Sequence, residues 1–232
     1  MTDNETARDA ARVSKRWPLI SGVFAVLLVA GIGAIIAYRE GNLPLEFDTE
    51  FMAELVENRA WYLDAPALLL NHFGGGFFGV IVLPVLIILG FCAFRRFWSA
   101  GYFLIATVAS AGVVQVLKNI FDRPRPEDIL VVSDVGSFPS GHVANAATMA
   151  VVLGFIFRRL WVWIAGLLYT IAMLLSRTYL GAHWLSDTLG GFVLGSAIAV
   201  IVWAPLAYRL HVERRTAPDP LFIRPHAQRR KR

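Results

Sequence analysis

Three short polar segments of this chain lie beside long apolar stretches and contain residue types that can bind and process an anion. The first polar segment is Lys118–Pro126, the second is Pro139–His142 and the third is Ser176–Asp187. Charged side chains next to membrane-spanning sequence are energetically costly and usually mark a functional site. The pattern therefore predicts one anion-handling site that is built from three parts of the chain.

Lys118, Arg125 and Arg177 are suited to neutralising the charge of a phosphate group. Hydrolysis of a phosphate ester needs stabilised charge on the phosphoryl oxygens, together with a nucleophile and an acid that lie in line. Arginine offers paired hydrogen bonds to phosphate, whereas lysine supplies a compact positive charge. We therefore predict these three residues as phosphate ligands.

The second polar segment is typical of a helix start that accepts an anion. Pro139 interrupts the preceding structure, Ser140 is a favourable N-cap residue, and Gly141 lets an oxyanion approach the main chain. The first N–H groups of the helix and its dipole both favour negative charge at this point. Ser140 and Gly141 are therefore predicted as further phosphate ligands.

His183 and Asp187 lie four residues apart, so on a helix they share one face and can form a hydrogen bond. A carboxylate on one ring nitrogen fixes the tautomer and leaves the other nitrogen able to attack phosphorus. His142 then protonates the leaving oxygen, so His183 must start neutral and His142 charged. These residues predict a covalent phosphohistidine that is hydrolysed by a water activated by His142.

The composition indicates that membrane helices position these residues. Apolar residues make up 56% of the 232 residues and charged residues only 17%, which is outside the average for soluble proteins. A helix needs about 20 mostly apolar residues to cross the hydrocarbon core. We predict an all-α bundle of six transmembrane helices, with spans at about 17–38, 74–94, 100–117, 141–157, 160–176 and 187–208.

The distribution of charge predicts the orientation of these spans. Most of the 22 lysines and arginines fall on the same side as the N-terminus, so the positive-inside rule places both termini in the cytoplasm. Spans three and five then end on the outer side, where spans four and six begin. The three polar segments meet on that outer, periplasmic face of a bacterial inner (plasma) membrane.

The acidic segment Gly41–Pro66, between the first two spans, is the one sizeable loop. Phe47, Phe51 and Leu55 recur at helical spacing, and Asp48 is placed as an N-cap. We predict a short amphipathic helix on the outer membrane surface. It serves either to seal the bundle or as a lid or gate for lipids.

The remaining sequence is assigned to two cytoplasmic segments around one membrane domain. Residues 1–16 form the N-terminal segment, and residues 17–210 form the domain, which includes the signature region 118–187. Residues 211–232 form a basic tail, interrupted by prolines, that we expect to be disordered. The basic residues flank spans and form no groove, so nucleic-acid binding is not expected.

The spacing within the polar segments resembles the three-part signature of the type 2 phosphatidic acid phosphatase (PAP2) superfamily, also called lipid phosphate phosphatases. The resemblance covers about residues 74–208. The matching patterns are Lys118-x6-Arg125-Pro126, Pro139-Ser140-Gly141-His142 and Ser176-Arg177-x5-His183-x3-Asp187. The resemblance implies a six-helix membrane phosphatase that uses neither metal nor cofactor. It implies His183 as nucleophile, Asp187 as its partner, His142 as general acid, and Lys118, Arg125, Ser140, Gly141 and Arg177 as phosphate ligands.

The expected substrate is a membrane lipid phosphate: a polyprenyl diphosphate such as undecaprenyl diphosphate, phosphatidate or phosphatidylglycerophosphate. Within the first polar segment, Arg123 is a candidate contact for the lipid headgroup and Asp122 a candidate salt-bridge partner. Two other functions are considered. One is a non-catalytic lipid-binding or transport protein with this fold. The other is an oxidoreductase similar to vanadium haloperoxidases, which place vanadate in the same pocket but resemble soluble helical proteins.

Overall fold

The computed structural model describes residues 3–39, 42–132 and 135–217. These residues form eight α-helices and one π-helical turn, and no strand occurs among them, so the all-α prediction is confirmed. In chain order the elements are α1 (Asp3–Ala37), α2 (Glu46–Glu57), α3 (Trp61–Gly74), the π-helical turn (Phe78–Val82), α4 (Leu83–Ala93), α5 (Phe97–Phe121), α6 (Gly141–Phe157), α7 (Leu160–Tyr179) and α8 (Leu185–Thr216).

Four helices in the described part of the chain are long and apolar enough to cross a membrane: the Arg16–Ala37 part of α1, and all of α5, α7 and α8. A fifth span results if α3 and the bent continuation Phe78–Ala93, which turn by 47° against each other, are counted together. Helix α6 is apolar but has only 17 residues. By length and composition the structure therefore supports four or five spans, against the six that the sequence predicts.

Helix α6 lies at the centre of the bundle and packs on α5, α7 and α8. Its closest approach to α8 is made by two glycines one helical turn apart. A Cβ atom on Gly191 would lie 2.5 Å from the Ser140 carbonyl oxygen, and one on Gly195 would meet the Ala144 carbonyl. Small residues at this spacing let two membrane helices pack main chain against main chain. The starts of α6 and α8 are thereby held together.

Two clusters of buried apolar side chains hold the helices around α6. One contains Phe91, Phe103, Met149 and Ile156 and joins α4, α5 and α6, with Leu210 of α8. The other joins α1, α5 and α8 and contains Val29, Ile36, Val114, Phe121 and Leu194. The outer faces of the helices still expose large apolar side chains, among them Phe24, Leu27, Ile35, Val108, Leu167 and Leu168. Such an outward apolar surface suits a bilayer.

The second span differs from its prediction because the helix starts earlier and is broken. The sequence predicts a loop up to Pro66 and a span from residue 74, but α3 already begins at Trp61 and ends at Gly74. Pro66 is tolerated inside α3, and the glycines at 75 and 76 form the break. The chain resumes as a π-helical turn before α4. Breaks of this kind are common at functional sites.

The start of α2 and the end of α8 also differ from the sequence prediction. Leu45, not Asp48, occupies the N-cap position of α2, because the Asp48 side chain is buried in ion pairing.

Helix α8 continues beyond residue 208 to Thr216. The Glu213 carboxylate accepts hydrogen bonds from the Trp98 and Ser99 N–H groups at the start of α5. This contact caps α5 and attaches the last turns of α8 to it. Residues 218–232 of the predicted tail lie outside the described residues.

Candidate active site

A cavity of about 430 Å³ lies between the C-terminal half of α5, the start of α6, the end of α7, the turn before α8 and the break that follows α3. The structure therefore brings the three polar segments together, as the topology predicts. The predicted site residues that line it are Lys118, Gly141, His142, Arg177 and His183. The remaining wall is mainly apolar, with Val80, Val108 and Val114 among its side chains.

His183 lies in the short turn between α7 and α8 and is almost fully buried. Its Nδ1 is 2.8 Å from the main-chain carbonyl oxygen of Ser137. A carbonyl oxygen can only accept a hydrogen bond, so Nδ1 carries the proton of the neutral ring. The lone pair is then on Nε2, the atom required of a nucleophile.

The environment of His183 favours its neutral form. Burial lowers the pKa of His183 well below its ordinary value, and the positive charges of Arg177, Arg125 and Lys118 lower it further. The Ser137 carbonyl acts in the opposite direction but is outweighed. Because both burial and nearby cations disfavour a charged imidazolium, His183 is neutral at neutral pH.

Asp187 lies behind His183, but the predicted hydrogen bond between their side chains is replaced by other contacts. Asp187 Oδ2 is 3.6 Å from His183 Nδ1 and accepts the Trp184 N–H at 2.9 Å. Its Oδ1 accepts a hydrogen bond from Arg123 at 2.5 Å. The prediction assumed helix geometry for both residues, whereas His183 precedes the first residue of α8. Asp187 therefore makes no hydrogen bond to the ring, and Ser137 fixes the tautomer.

All three predicted cations lie near the imidazole of His183, because the charge of each lowers its pKa. Lys118 donates from Nζ to the Gly136 carbonyl at 2.8 Å, and Arg125 donates to the same oxygen at 2.9 Å. Arg125 Nη1 is 3.5 Å from His183 Nε2. Arg177 donates to the side-chain oxygen of Asn71 in α3. Three positive charges near one neutral imidazole make this part of the cavity suited to an anion.

The second polar segment forms the start of α6, as predicted, but Ser140 does not cap the helix with its side chain. Ser140 has the extended backbone of an N-cap residue without a side-chain capping bond. Its Oγ is buried and makes no hydrogen bond with the described residues. A buried hydroxyl of this kind costs free energy unless a ligand satisfies it. Ser140 and the adjacent Gly141 therefore suit oxyanion binding.

His142, in the first turn of α6, packs against the glycine break that follows α3. A Cβ atom built on Gly75 would overlap the imidazole of His142. Gly75 has an extended backbone, so its lack of a side chain serves to leave room for the ring. The broken helix thus forms one wall of the His142 site.

We expect Gly75→Ala to displace His142 and to lower the rate of phosphate release by about 10²-fold, the cost of a shift of about 1 Å in a catalytic group. Phosphate release and thermal unfolding of the purified variant test this. Gly90→Ala is the matched control, because a Cβ there meets no atom within 4 Å. Equal activity of the two variants would contradict the role of Gly75.

Sequence reasoning missed a buried cluster beside the site. Arg123, a candidate headgroup contact, is 1% exposed and pairs with Asp48 and Asp187. The candidate salt-bridge residue Asp122 is exposed and ends α5 in a left-handed conformation. Asn71, the partner of Arg177, was also missed. No spacing signal links these residues, since Asp48 and Arg123 are 75 positions apart.

Comparison with known proteins defines the class of this site. Residues 99–210 match the family model described as the PAP2 superfamily. The chain is 30% identical over 145 residues to phosphatidylglycerophosphatase B of Bacillus subtilis, which covers 57% of this chain and 70% of that protein. It is 27% identical over 169 residues to an undecaprenyl-diphosphatase of Sulfolobus acidocaldarius, which covers 69% of this chain and 79% of that protein.

The fold agrees with this assignment. The crystal structure of a transmembrane PAP2-type phosphatidylglycerolphosphate phosphatase from Bacillus subtilis is similar with a TM-score of 0.69 and 28% identity. The similarity covers 78% of this chain and 94% of that one. The site and the fold thus define a membrane-type phosphatase. The chain belongs to the PAP2 superfamily.

Proposed function

We propose that this protein hydrolyses a phosphomonoester or diphosphate of a membrane lipid through a phosphohistidine intermediate. The observation that carries the proposal is the arrangement at His183. Its Nδ1 is held by the Ser137 carbonyl, Arg125 lies 3.5 Å from Nε2, and the charges of Lys118, Arg125 and Arg177 all act on the ring. A neutral imidazole with a fixed tautomer among positive charges is suited to attack on a phosphate dianion.

In the first step, Lys118, Arg125 and Arg177 hold the phosphoryl oxygens, with the Ser140 hydroxyl and the N–H groups at the start of α6 as further donors. The Nε2 lone pair of His183 forms a bond to phosphorus while the bond between phosphorus and the leaving oxygen breaks. His142 gives its proton to that oxygen. The negative charge of Asp187, 3.6 Å from Nδ1, stabilises the imidazole as it becomes positive.

In the second step, the phosphohistidine is hydrolysed. His142, now neutral, takes a proton from a water molecule as the water oxygen attacks phosphorus. The bond between phosphorus and Nε2 breaks, inorganic phosphate leaves, and both histidines return to their starting states. Because this scheme needs a neutral His183, the lowered pKa of His183 allows activity to persist below its ordinary pKa.

A lipid substrate is supported by the walls of the cavity. Val80 and Val108 line it and are 51% and 62% exposed on the outside of the bundle, so the cavity opens sideways towards the apolar surface. A phosphate among the cations can then leave its chain in the bilayer. Relatives of this chain are named for phosphatidylglycerophosphate and undecaprenyl diphosphate, and both lipids, with phosphatidate, are our candidate substrates.

We further propose six spans, with α3 to α4 as one broken span and α6 as a short one. The positive-inside rule then places both termini in the cytoplasm and the cavity on the outer face of the plasma membrane. In this arrangement α2 lies on the outer surface and packs on α7 and α8. The membrane domain is residues 17–210, and the basic segments at either end are cytoplasmic.

Purified protein in detergent is expected to release phosphate from at least one of undecaprenyl diphosphate, phosphatidate and phosphatidylglycerophosphate. Since the proposed chemistry uses side chains alone, EDTA should leave the rate unchanged. Vanadate should inhibit, because it adopts the pentacoordinate geometry of phosphoryl transfer. Strong inhibition by EDTA, or full activity at saturating vanadate, would contradict the mechanism. A non-catalytic lipid transporter would release no phosphate from any of the three lipids.

A further inference from the structure

Arg123 forms a buried charged cluster with Asp48 and Asp187 directly behind His183. It donates from Nη1 to Asp187 Oδ1 at 2.5 Å and from Nη2 to Asp48 Oδ2 at 2.8 Å. Both carboxylates are fully buried. Arg123 is only 1% exposed and is not among the residues that line the cavity, so it does not act as a fourth phosphate ligand.

Asp48 also binds the first turn of α8 from a different helix. Its Oδ1 accepts the Ser186 N–H at 2.8 Å, and its Oδ2 accepts the Ser186 hydroxyl at 2.6 Å. Asp187 caps the same turn by accepting the Trp184 N–H. Two carboxylates, one from α2 and one from α8, therefore fix the start of α8, and His183 lies immediately before it.

We propose that Asp48 is a positioning residue for catalysis. It holds Arg123, and Arg123 in turn fixes the carboxylate of Asp187 that faces His183. The inference rests on the proposed function, and it extends the site to helix α2, which no part of the PAP2 signature includes. A cluster that only attached α2 to the bundle would lower stability when altered, but would not lower kcat at an unchanged KM in a folded variant.

The charged and titratable groups that face His183 come from every neighbouring element. They are Lys118 from α5, Arg125 from the segment after α5, His142 from α6, Arg177 from α7 and Asp187 from α8. All but Asp187 are cations or can become cations. Asp187 is thus the one carboxylate among these groups, and its position depends on Arg123 and Asp48.

Removing the charge of Asp48 should shift the protonation of His183. Asp48, Arg123 and Asp187 together carry one net negative charge. Asp48→Asn leaves a neutral cluster, because Arg123 then balances Asp187, and the pKa of His183 falls. Arg123→Ala leaves two buried carboxylates without a cation, and burial drives one of them to bind a proton, so the cluster keeps one negative charge and the pKa of His183 changes little.

The test uses full-length Asp48→Asn, Arg123→Ala and a control, Glu50→Gln, which removes the same charge from an exposed position of α2. The ring nitrogens of the five histidines are titrated by ¹⁵N NMR in nanodiscs, and the His183 signal is assigned by its loss in His183→Ala. Phosphate release from the best lipid substrate gives kcat and KM. We expect a lower pKa of His183 in Asp48→Asn, little change in Arg123→Ala and none in the control.

For Asp48→Asn we expect kcat to fall by about 10²-fold with KM unchanged, since a displaced catalytic group is costly but the cations remain. Asp48→Glu keeps the negative charge and should give the wild-type pKa of His183. If Asp48→Asn is poorly folded, this variant shows whether the charge at position 48 sets that pKa. A wild-type kcat of Asp48→Asn, or an unchanged titration of His183 in that variant, would overturn the inference. Wild-type protein that releases no phosphate would overturn the proposed function, while the titration still decides the coupling.

Discussion

Replacing His183 with alanine is expected to abolish phosphate release from every lipid substrate. Removing a covalent nucleophile has cost about 10⁶-fold in kcat in a well-studied protease, and a comparable loss is expected here. The hydroxyl of Ser140 is not expected to replace the histidine, because Ser140 Oγ has no base as a partner in the described structure. The measurement is release of inorganic phosphate from lipid in mixed micelles, with binding of vanadate as a second readout.

The matched control is His72→Ala, which removes an exposed histidine of α3 that does not line the cavity. It should retain wild-type activity. The wild-type enzyme, quenched during turnover with ³²P-labelled lipid, should carry a label that is stable to alkali and lost in acid, as expected of a phosphorus–nitrogen bond. Retention of a few per cent of activity by His183→Ala would rule out the phosphohistidine.

Replacing His142 with alanine is expected to slow hydrolysis to a degree that depends on the leaving group. A general acid contributes about 10²-fold to 10⁴-fold when the leaving oxygen is a poor one. A lipid alkoxide needs the proton, whereas a nitrophenolate does not. Phosphatidate hydrolysis should therefore fall within that range, while formation of the phosphoenzyme from a nitrophenyl phosphate should be nearly unaffected.

The comparison is made under single-turnover conditions, because His142 also activates the water of the second step. Wild-type and variant protein are mixed with nitrophenyl phosphate, and the burst of nitrophenolate is recorded. The variant should give a normal burst and then stall as phosphoenzyme. An equal loss of burst rate for both leaving groups would show that His142 positions the substrate and does not act as an acid.

The site could be predicted from the sequence to the extent that it uses regular helix ends. The start of α6 at Gly141 and the convergence of Lys118, Arg177 and His183 follow from apolar spans of known direction. The contact between His183 and Ser137 does not, because it depends on the path of an irregular segment before α6. The spacing of four residues predicts Asp187, not Ser137, as the hydrogen-bond partner of His183. That prediction assumes that His183 is already helical, whereas α8 begins only at Leu185.

The role of Asp48 could not be predicted, because its position in an acidic surface helix is typical of a solvated or capping residue. A carboxylate can be recognised as buried only when its partners are known, and the partners of Asp48, Arg123 and Ser186, lie far away in the sequence. The break in the second span could not be predicted either, because it also depends on a contact between residues far apart in the sequence. The glycines at 75 and 76 indicate a turn, but only the position of His142 against Gly75 explains why the break is there.

The main-chain contact between α6 and α8 determines how the enzyme responds to its bilayer. Gly191 and Gly195 press one backbone on the other, and the Ser140 N–H donates to the Asp187 carbonyl at 2.9 Å. The helix start that contains His142 and the turn that contains His183 are thus held together by main-chain contacts. We expect changes in lipid length or fluidity that tilt the outer helices to leave the separation of His142 and His183 constant. Membrane composition should then affect access of the substrate more than the chemical step.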